Sequence, residues 1–320
     1  MEEKILEQFY LHFDEGDIYG DNNISYAASK ALEEFVIMNE DKTIQGFIES
    51  LKNIQAYIIE NSTSGHKLLK NRTNLTLRAV CNFCYHIFTK EIAKRMDQTM
   101  DEIKEALKKK AQDLCSLAEI AKQKIIKYSK KIWRDDMVIL THGYSSIVLK
   151  LITSAIENGY NLTVYVTEGR PDNTGEVMVK ACQNIKPPGE DSSVSPKLGV
   201  DVKIILDSSV ASIMSKVDYV FLGAEAIVEN GGIINKIGTF TMALCAKAHK
   251  KKVYVFTESL KFLNTFPLDQ SDISSVVPEM EDFDNLFSDY TPPEYINTLI
   301  TDLGISTPYG VSDELIQFLI

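Results

Sequence analysis

The sequence predicts an α/β protein, with an N-terminal all-helical domain over residues 1–132 followed by a doubly wound, Rossmann-like parallel sheet domain over residues 133–320. In the first part, apolar residues recur at steps of three and four, which is the period of a helix with one buried face. In the second part, short runs rich in Val, Ile, Leu and Tyr alternate with helix-like stretches. Continuous apolar strands alternating with helices are typical of a parallel sheet covered on both faces. The length of 320 residues also exceeds that of a usual single domain.

Four to six helices and no strand are predicted for the first domain. Helical spacing is clearest over residues 25–36, 44–58 and 75–90. Clusters of Asn, Ser and Gly at residues 22–23 and 61–65 predict breaks between helices.

The last helix of this domain is predicted over residues 100–132 and is rich in lysine. Apolar residues follow one side of it, at Ile103, Leu107, Leu114, Leu117, Ala121, Ile125 and Tyr128. The lysines form either a basic surface for an acidic partner or the solvated face of a helix with one buried stripe. Glutamates and aspartates mixed among them favour the solvated face.

Five strands and four helices are predicted for the second domain. The strands are expected at residues 137–140, 162–166, 202–206, 219–222 and 253–256, and the helices at 146–157, 175–185, 210–216 and 236–250. Prolines, glycines and serines over residues 186–199 predict a surface loop. Two more short helices are expected in the tail, one beginning at Pro293 and one after Ser312. The apolar final residues are expected to dock on this domain or on a second subunit.

Composition limits the classes of partner. A net charge of −11 and a pI near 5.1 disfavour nucleic acid or an anionic membrane surface, because both require a basic footprint. The start resembles no signal peptide, and no apolar run approaches the ~20 residues that span a bilayer. Five scattered cysteines suit a reducing compartment, so we expect a cytosolic protein. Cys81 and Cys84 form a lone CxxC without a second pair, which favours reduced core thiols over a metal site.

Three polar loops follow predicted strands: THGYSS at 141–146, TEGRP at 167–171, and the glycine-containing stretch after the strand 219–222. Loops at the carboxyl ends of parallel strands share one edge of the sheet, so the three are expected to converge on an anion-binding pocket. A helix entered through Asn235 and Lys236 is predicted to supply backbone N–H groups to it. The candidate ligand-binding residues are His142, Gly143, Tyr144, Ser145, Arg170, Glu225, Asn235 and Lys236.

Several roles stay open for these residues. The loop around Ser145 either binds a small anion or only caps the following helix. Arg170 is placed to contact a phosphate, Glu168 or Glu225. Glu225 is either a general base with a raised pKa or the partner of Arg170 or Lys236. Because no GxGxxG follows the first strand, a dinucleotide enzyme is disfavoured, and no spacing supports a catalytic triad or a metal cluster.

Several stretches resemble the initiation factor 2B family, and its alpha-subunit branch in particular. They are ILTHGYSS at 139–146, VTEGRP at 166–171, VDYVFLGAEAIVENGGIINKIGT at 217–239, YVFTESLKF at 254–262, FPL at 266–268, and YINTLITDLGISTP with VSDELI near the end. The resemblance is dense from about residue 136 onward and weaker through the helical region. The wider superfamily includes isomerases of methylthioribose 1-phosphate and ribose 1,5-bisphosphate.

The resemblance implies a retained pocket without catalysis. The chemistry of the isomerases rests on a cysteine after Thr-His and an aspartate after Gly-Ala, positions that hold Gly143 and Glu225 here. The phosphate-binding features, Arg170 with Asn235 and Lys236, remain. A regulatory, non-catalytic subunit is therefore expected. The alternatives are a sugar-phosphate isomerase with Glu225 as its base, and a small-molecule-binding α/β protein without an assembly role.

The resemblance also implies partners. The chain is expected to form a homodimer that joins the beta and delta subunits, with gamma and epsilon, of the guanine nucleotide exchange complex for initiation factor 2. With beta and delta it is expected to sense initiation factor 2 phosphorylated on its alpha subunit, while exchange belongs to epsilon. No cofactor is required, and a sugar phosphate or a nucleotide is the expected ligand of the pocket.

Overall fold

The helical region consists of five helices. The structure, a computed structural model, describes residues 1–14, 24–65, 75–186, 199–273 and 287–311. The helices are α1 (Glu2–Asp14), α2 (Ile24–Met38), α3 (Ile44–Gly65), α4 (Leu75–Ala93) and α5 (Met100–Ser129). The described part of residues 1–132 contains no strand, as predicted. α5 begins with a capping box, in which Thr99 Oγ1 accepts from the amide of Glu102, whose carboxylate accepts from the amide of Thr99.

The predicted break at 61–65 is wrong, because these residues form the last turns of α3. Asn61 Nδ2 donates to the carbonyl of Tyr57 at 2.9 Å, and Ser62 Oγ donates to the carbonyl of Ile59 at 3.2 Å. Side chains that bond back to the preceding turn allow these residue types inside a helix. The break predicted at 22–23 lies outside the described residues.

The helices share an apolar core built around α2. Phe35 on α2 and Phe47 on α3 are fully buried, with ring centroids 5.4 Å apart. The stripe predicted on α5 faces this core, with Ile103 and Leu107 buried. Because the stripe occupies one side only, Lys109 and Lys127 are exposed and four other lysines of α5 are partly exposed, whereas Lys122 is buried.

Eleven strands form two sheets in the described residues after 132. The strands are β1 (Met137–His142), β2 (Leu162–Thr167), β3 (Val200–Ile205), β4 (Tyr219–Leu222), β5 (Ala226–Val228), β6 (Ile233–Lys236), β7 (Lys252–Phe256), β8 (Phe262–Leu263), β9 (Ser288–Thr291), β10 (Thr298–Ile300) and β11 (Ile305–Ser306). The helices are α6 (Ser146–Glu157), α7 (Gly175–Gln183), α8 (Val210–Ile213) and α9 (Thr239–Ala248). The larger sheet has the order β11-β10-β7-β4-β1-β2-β3, and only β11 is antiparallel to its neighbour.

The larger sheet is covered on both faces, which confirms the predicted doubly wound fold. Ile139 and Phe221 point to one face, where they pack in the same cluster as α6 and α7. Leu140 and Val220, the next residues in register, point to the other face with α8 and α9. That second cluster also contains the core of the five N-terminal helices, so packing is continuous across residue 132. The division at 132/133 stays a prediction.

The strand order places a switch point between β1 and β4. The chain moves outward from β1 to β2 and β3, then returns to lay β4 on the other side of β1. The loops after β1 and β4 therefore leave the sheet in opposite directions and open a crevice between them. In open α/β sheets, this crevice is the usual ligand-binding position.

The smaller sheet, of order β8-β5-β6-β9, was not predicted. β5 and β6 form a hairpin that turns at Gly231, whose φ is +83°. A Cβ at Gly231 would lie 1.9 Å from the carbonyl oxygen of Pro308, so the hairpin packs directly on the C-terminal segment. None of its four strands carries an apolar run of four residues like that of β4, so the sequence pattern did not indicate them.

The predicted helix start at Asn235 and Lys236 is wrong. Both residues lie on β6, and α9 begins at Thr239 after Gly238, whose φ is +101°. The cap of α9 comes from β9, where Asp289 Oδ2 accepts from the amides of Gly238 at 2.8 Å and Phe240 at 3.0 Å. A cap supplied from about fifty residues downstream leaves no local signal.

The short helix predicted at Pro293 is a single 3₁₀ turn, Pro293–Tyr295, which leads into β10. The proline does stand at the first position of that turn, as its fixed φ favours. The helix predicted after Ser312, the apolar end of the chain and most of the loop at 186–199 lie outside the described residues.

Candidate functional site

The candidate site is a narrow cleft at the switch point. It is lined by Lys122, His142, Tyr144, Ser145, Ser146, Ile147, Gly223, Ala224, Asn235, Lys236, Thr257, Glu258 and Lys261. These residues come from α5, from the end of β1, the start of α6 and the loop between them, from the loops after β4 and β7, and from β6. The cavity measures about 20 Å³, which is room for about one water molecule. A larger ligand therefore requires side chains around the cleft to move.

His142 is buried at the end of β1 and held by two hydrogen bonds. Its Nε2 lies 2.7 Å from the carbonyl oxygen of Ile237, which only accepts, so Nε2 carries the proton. Its Nδ1 lies 2.7 Å from Thr167 Oγ1 and accepts from that hydroxyl. Burial lowers the pKa of His142, so the imidazole is neutral at pH 7. His142 therefore positions the loop and contributes no charge to the cleft.

Two threonines join the first and second loops. Thr167 Oγ1 accepts from the amide of Gly143 at 3.2 Å, and Thr174 Oγ1 accepts from the amide of Tyr144 at 3.2 Å. Gly143 has a φ of +53°, and a Cβ there would lie 2.6 Å from Thr174 Oγ1. The two loops meet so closely that position 143 has no room for a side chain unless Thr174 moves.

Ser145 and Lys236 both line the cleft. A Cβ at Gly223 would lie 2.5 Å from Ser145 Oγ, so the hydroxyl lies directly against the backbone after β4. Ser145 precedes α6 but makes no side-chain cap to it, which removes the alternative of a purely capping role. Lys236 Nζ lies 3.4 Å from Thr174 Oγ1 and reaches the second loop from β6. Asn235 Nδ2 donates to Thr239 Oγ1 at 3.1 Å and ties β6 to the start of α9.

Arg170 and Glu225 do not line the cleft. The Arg170 side chain is 64% exposed and its Nε lies 3.0 Å from Glu168 Oε2, one of the partners foreseen for it. Asp207 directs this loop, because its carboxylate accepts from the amides of Gly169 and Arg170, both at 2.9 Å. Glu225 accepts from Ser288 Oγ at 3.5 Å, beside the smaller sheet. Of the three predicted loops, the first and the third contribute residues to the cleft, and the second contributes Thr167, which contacts His142 but does not line the cleft.

A buried ionic cluster in the cleft was missed by the sequence analysis. Glu258 follows β7, and its carboxylate accepts from Ser25 Oγ at 2.5 Å and lies 3.4 Å from Lys122 Nζ. Lys261 Nζ lies 3.4 Å from the carbonyl oxygen of Ala224. Burial acts to raise the pKa of Glu258, but the Lys122 and Lys261 ammonium groups and the Ser25 hydroxyl outweigh it, so the pKa is lowered. The one sequence signal was Lys122 itself, four residues after Ala118 on the buried stripe of α5.

Asp289 forms a second buried carboxyl group near the site. Its Oδ2 caps α9, while its buried Oδ1 has no hydrogen-bond partner among the described residues. Burial raises the pKa of Asp289 to about 7, against the lowering effect of the two amides. A carboxyl group in this state takes up a proton on folding at mildly acidic pH.

The described residues also bear on reactive-thiol, metal and membrane-spanning sites. Cys81 and Cys84 are buried free thiols, and burial raises the pKa of Cys81 to about 12. The described part of the chain has no group of three His, Cys, Asp or Glu side chains arranged for a metal ion. Of the helices that the structure describes, none combines the length and the apolar character that a bilayer span requires.

We expect Glu258→Gln to destabilise the fold by about 3–5 kcal/mol, because it leaves two buried ammonium groups without their anion. The change in the free energy of unfolding is measured by urea denaturation. Glu105→Gln is the matched control: Glu105 lies 2.7 Å from Lys108 and is 72% exposed, so its loss should cost less than about 1 kcal/mol. Equal effects of the two substitutions would contradict a structural role for the buried cluster.

We expect Asp289→Asn to change how stability depends on pH. Because the pKa of Asp289 is raised on folding from 3.8 to about 7, its protonation stabilises the native state below pH 4, and this contribution is lost as pH rises towards 7. Asparagine still accepts from both amides and does not titrate. The stability of wild type relative to Asp289→Asn should therefore fall by as much as about 4 kcal/mol between pH 4 and pH 7, measured by urea denaturation at each pH. A difference that stays constant over this range would show that the carboxyl group is ionised throughout.

Comparisons with known proteins agree with this architecture. Residues 17–308 match the model of the initiation factor 2 subunit family. A Dictyostelium discoideum protein named translation initiation factor eIF2B subunit alpha is 37% identical over 279 residues, which cover 81% of this chain and 82% of that protein. A ribose 1,5-bisphosphate isomerase of Thermococcus kodakarensis is 27% identical and covers 93% of this chain and 90% of the isomerase.

Solved structures share the fold. The eIF2B-beta2-delta2 complex from Chaetomium thermophilum contains a chain that aligns with a TM-score of 0.72 at 15% identity, covering 98% of this chain and 94% of that one. The translation initiation factor eIF-2B of Pyrococcus horikoshii aligns with a TM-score of 0.66 at 20% identity, covering 96% and 98%. With a family match over most of its length and an alpha-subunit relative at 37% identity, this chain belongs to the initiation factor 2 subunit family.

Proposed function

We propose that this chain is a regulatory, non-catalytic alpha subunit of the initiation factor 2B guanine nucleotide exchange complex, and that it controls translation initiation. The observation that carries the proposal is the 37% identity to a protein named as that subunit, over four fifths of both chains. The named isomerase relatives cover the chain as widely but at lower identity, 27% for the one from Thermococcus kodakarensis. The comparisons therefore favour the regulatory subunit over the isomerase.

The geometry of the cleft supports the absence of isomerase chemistry. By the family resemblance, Gly143 stands where the isomerases carry their cysteine, and glycine offers no group that transfers a proton. A cysteine there would also meet Thr174, because its Cβ would lie 2.6 Å from the hydroxyl oxygen. Glu225, the position of the isomerase aspartate by the same resemblance, does not line the cleft.

The cleft keeps the charge needed to bind a phosphorylated small molecule. Three lysines reach it from separate elements, Lys122 from α5, Lys236 from β6 and Lys261 after β7. Lys122 and Lys261 lie beside Glu258. A bound phosphate would compete with the Glu258 carboxylate for these two ammonium groups. A sugar phosphate or nucleotide in a widened cleft would thus favour one arrangement of α2, α5 and the sheet. Binding one arrangement more tightly than another is how a ligand shifts the equilibrium between assembly states. No further cofactor is needed for this role.

The proposed partners follow from the family. The chain would act as a homodimer that joins the beta and delta subunits, with gamma and epsilon, in the cytosol, and would take part in recognising initiation factor 2 phosphorylated on its alpha subunit. A family relative solved in a complex of beta and delta chains supports assembly with other subunits. The homodimer is motivated by the apolar end of the chain and by the resemblance.

We expect the chain to assemble without catalysing isomerisation. Co-expressed with beta and delta subunits, it should co-elute with them in size-exclusion chromatography and sediment as a dimer when purified alone at micromolar concentration. The purified chain should not convert ribose 1,5-bisphosphate or methylthioribose 1-phosphate, with the Thermococcus kodakarensis isomerase as the positive control for ribose 1,5-bisphosphate. Turnover at an enzymatic rate would favour the isomerase instead, and a chain that never associates with beta or delta would refute the assembly role.

We expect Lys236→Ala to weaken the binding of ribose 1,5-bisphosphate by about tenfold or more, because it removes a charge-assisted contact worth at least about 1.4 kcal/mol. Arg170→Ala is the matched control, since it removes one positive charge from a neighbouring loop but not from the cleft. Binding is measured by isothermal titration calorimetry. Weaker binding by the Arg170 variant alone would place the anion at the second loop and contradict the cleft.

A further inference from the structure

A second concave surface lies between the C-terminal half of α5 and α6, away from the cleft. This groove encloses about 750 Å³ and is lined by Ile120, Gln123, Lys124, Ile126, Lys127, Lys130, Leu149, Lys150, Thr153, Ser154, Glu157 and Asn158. Lys122 faces the cleft, whereas Lys124 stands about 200° further round the same helix and faces the groove. The two surfaces are therefore on opposite sides of α5.

The groove is strongly basic in an acidic protein. Among its described lining residues are four lysines, Lys124, Lys127, Lys130 and Lys150, and one carboxylate, Glu157, although the whole chain carries a net charge of −11. None of the four forms a salt bridge in the ranges that the structure describes. On the N-terminal half of the same helix, Lys108 pairs with Glu105 at 2.7 Å. The ammonium groups of the groove lysines thus face solvent, whereas that of Lys108 on the other half of α5 is paired with a carboxylate.

The floor of the groove is apolar. Ile120 is 39% exposed, and Ile126 and Leu149 are partly buried between the two helices. An apolar floor flanked by unpaired cations is complementary to a segment with carboxylates on one side and apolar side chains on the other. A fully solvated helix face would need no such floor.

We propose that this groove is a docking site for an acidic, amphipathic segment of a partner protein. Nucleic acid fits less well, because the net charge of −11 repels it and none of the described residues lining the groove is aromatic and able to stack on a base. A second copy of this chain fits less well too, since a two-fold contact through this surface would bring its own lysines together. The proposal is independent of the ligand cleft and of the assembly role proposed above.

The proposal is tested on the full-length chain with a fluorescein-labelled synthetic peptide, about 16 residues of glutamate and leucine with leucines at helical spacing, long enough to follow about 24 Å of groove. Fluorescence anisotropy at low salt should give saturable binding by wild type. Lys124→Glu with Lys127→Glu should weaken it at least about tenfold, since each attraction becomes a repulsion. Ile120→Ser should weaken it by about threefold through the apolar floor.

Lys109→Glu with Lys131→Glu is the matched control, because it makes the same change in charge at exposed lysines outside the groove. It should leave binding within about twofold of wild type. Lys127→Gln with Lys150→Gln repeats the test without introducing new charge, and circular dichroism checks that each variant is folded. No binding by wild type at millimolar peptide, equal losses in groove and control variants, or tighter groove-dependent binding of a labelled oligouridylate of the same charge would each overturn the proposal.

Discussion

The buried carboxylate of Glu258 is the contact on which the rest of the arrangement depends. It follows β7 at the carboxyl edge of the sheet, yet its partners Ser25 and Lys122 come from the N-terminal helices. A buried charge is tolerated only when it is paired, so these contacts fix where α2 and α5 sit over the sheet. The same contacts complete the cleft, because Lys122 becomes one of its walls. The helical region is thus part of the site rather than an appendage to the α/β domain.

Close backbone approach shapes the other walls of the cleft. Gly143 lies against Thr174, and Gly223 lies against Ser145, each at distances that exclude a Cβ. This packing leaves about 20 Å³ of free space. A cleft this tight, with a neutral His142 and three lysines, is suited to recognising a small anion. This geometry supports the ligand binding proposed for the cleft, in a chain whose relatives include an isomerase.

The sequence predicted the features that repeat along the chain and missed those that depend on distant partners. Apolar runs located β1, β2, β4 and β7 and the helix from Ser146 to Glu157, because strand and helix periods are local properties. The direction of the Arg170 side chain could not be predicted from neighbouring residues. Asp207, which follows β3, holds that loop by accepting hydrogen bonds from the amides of Gly169 and Arg170. The cap that Asp289 supplies to α9 could not be predicted from nearby residues either. Without that cap, a helix start was predicted at Asn235 and Lys236, which lie on β6. Polar residue types at the strand ends thus indicated where the candidate site lies. Hydrogen bonds between residues distant in sequence determine which side chains line it.

The lysines of α5 show why composition alone could not separate binding from solvation. On one side, Lys122 is buried against Glu258, and on the other, Lys124 and Lys127 border an apolar groove without a carboxylate partner among the described residues. In the sequence these lysines belong to one run, and the glutamates and aspartates mixed among them favoured a solvated face. The helical rotation of 100° per residue assigns neighbouring lysines to different surfaces, and only the packing of α6 beside α5 creates the groove. One helix therefore borders both the cleft and the groove, because its buried stripe is narrow enough to leave charged residues on each side of it.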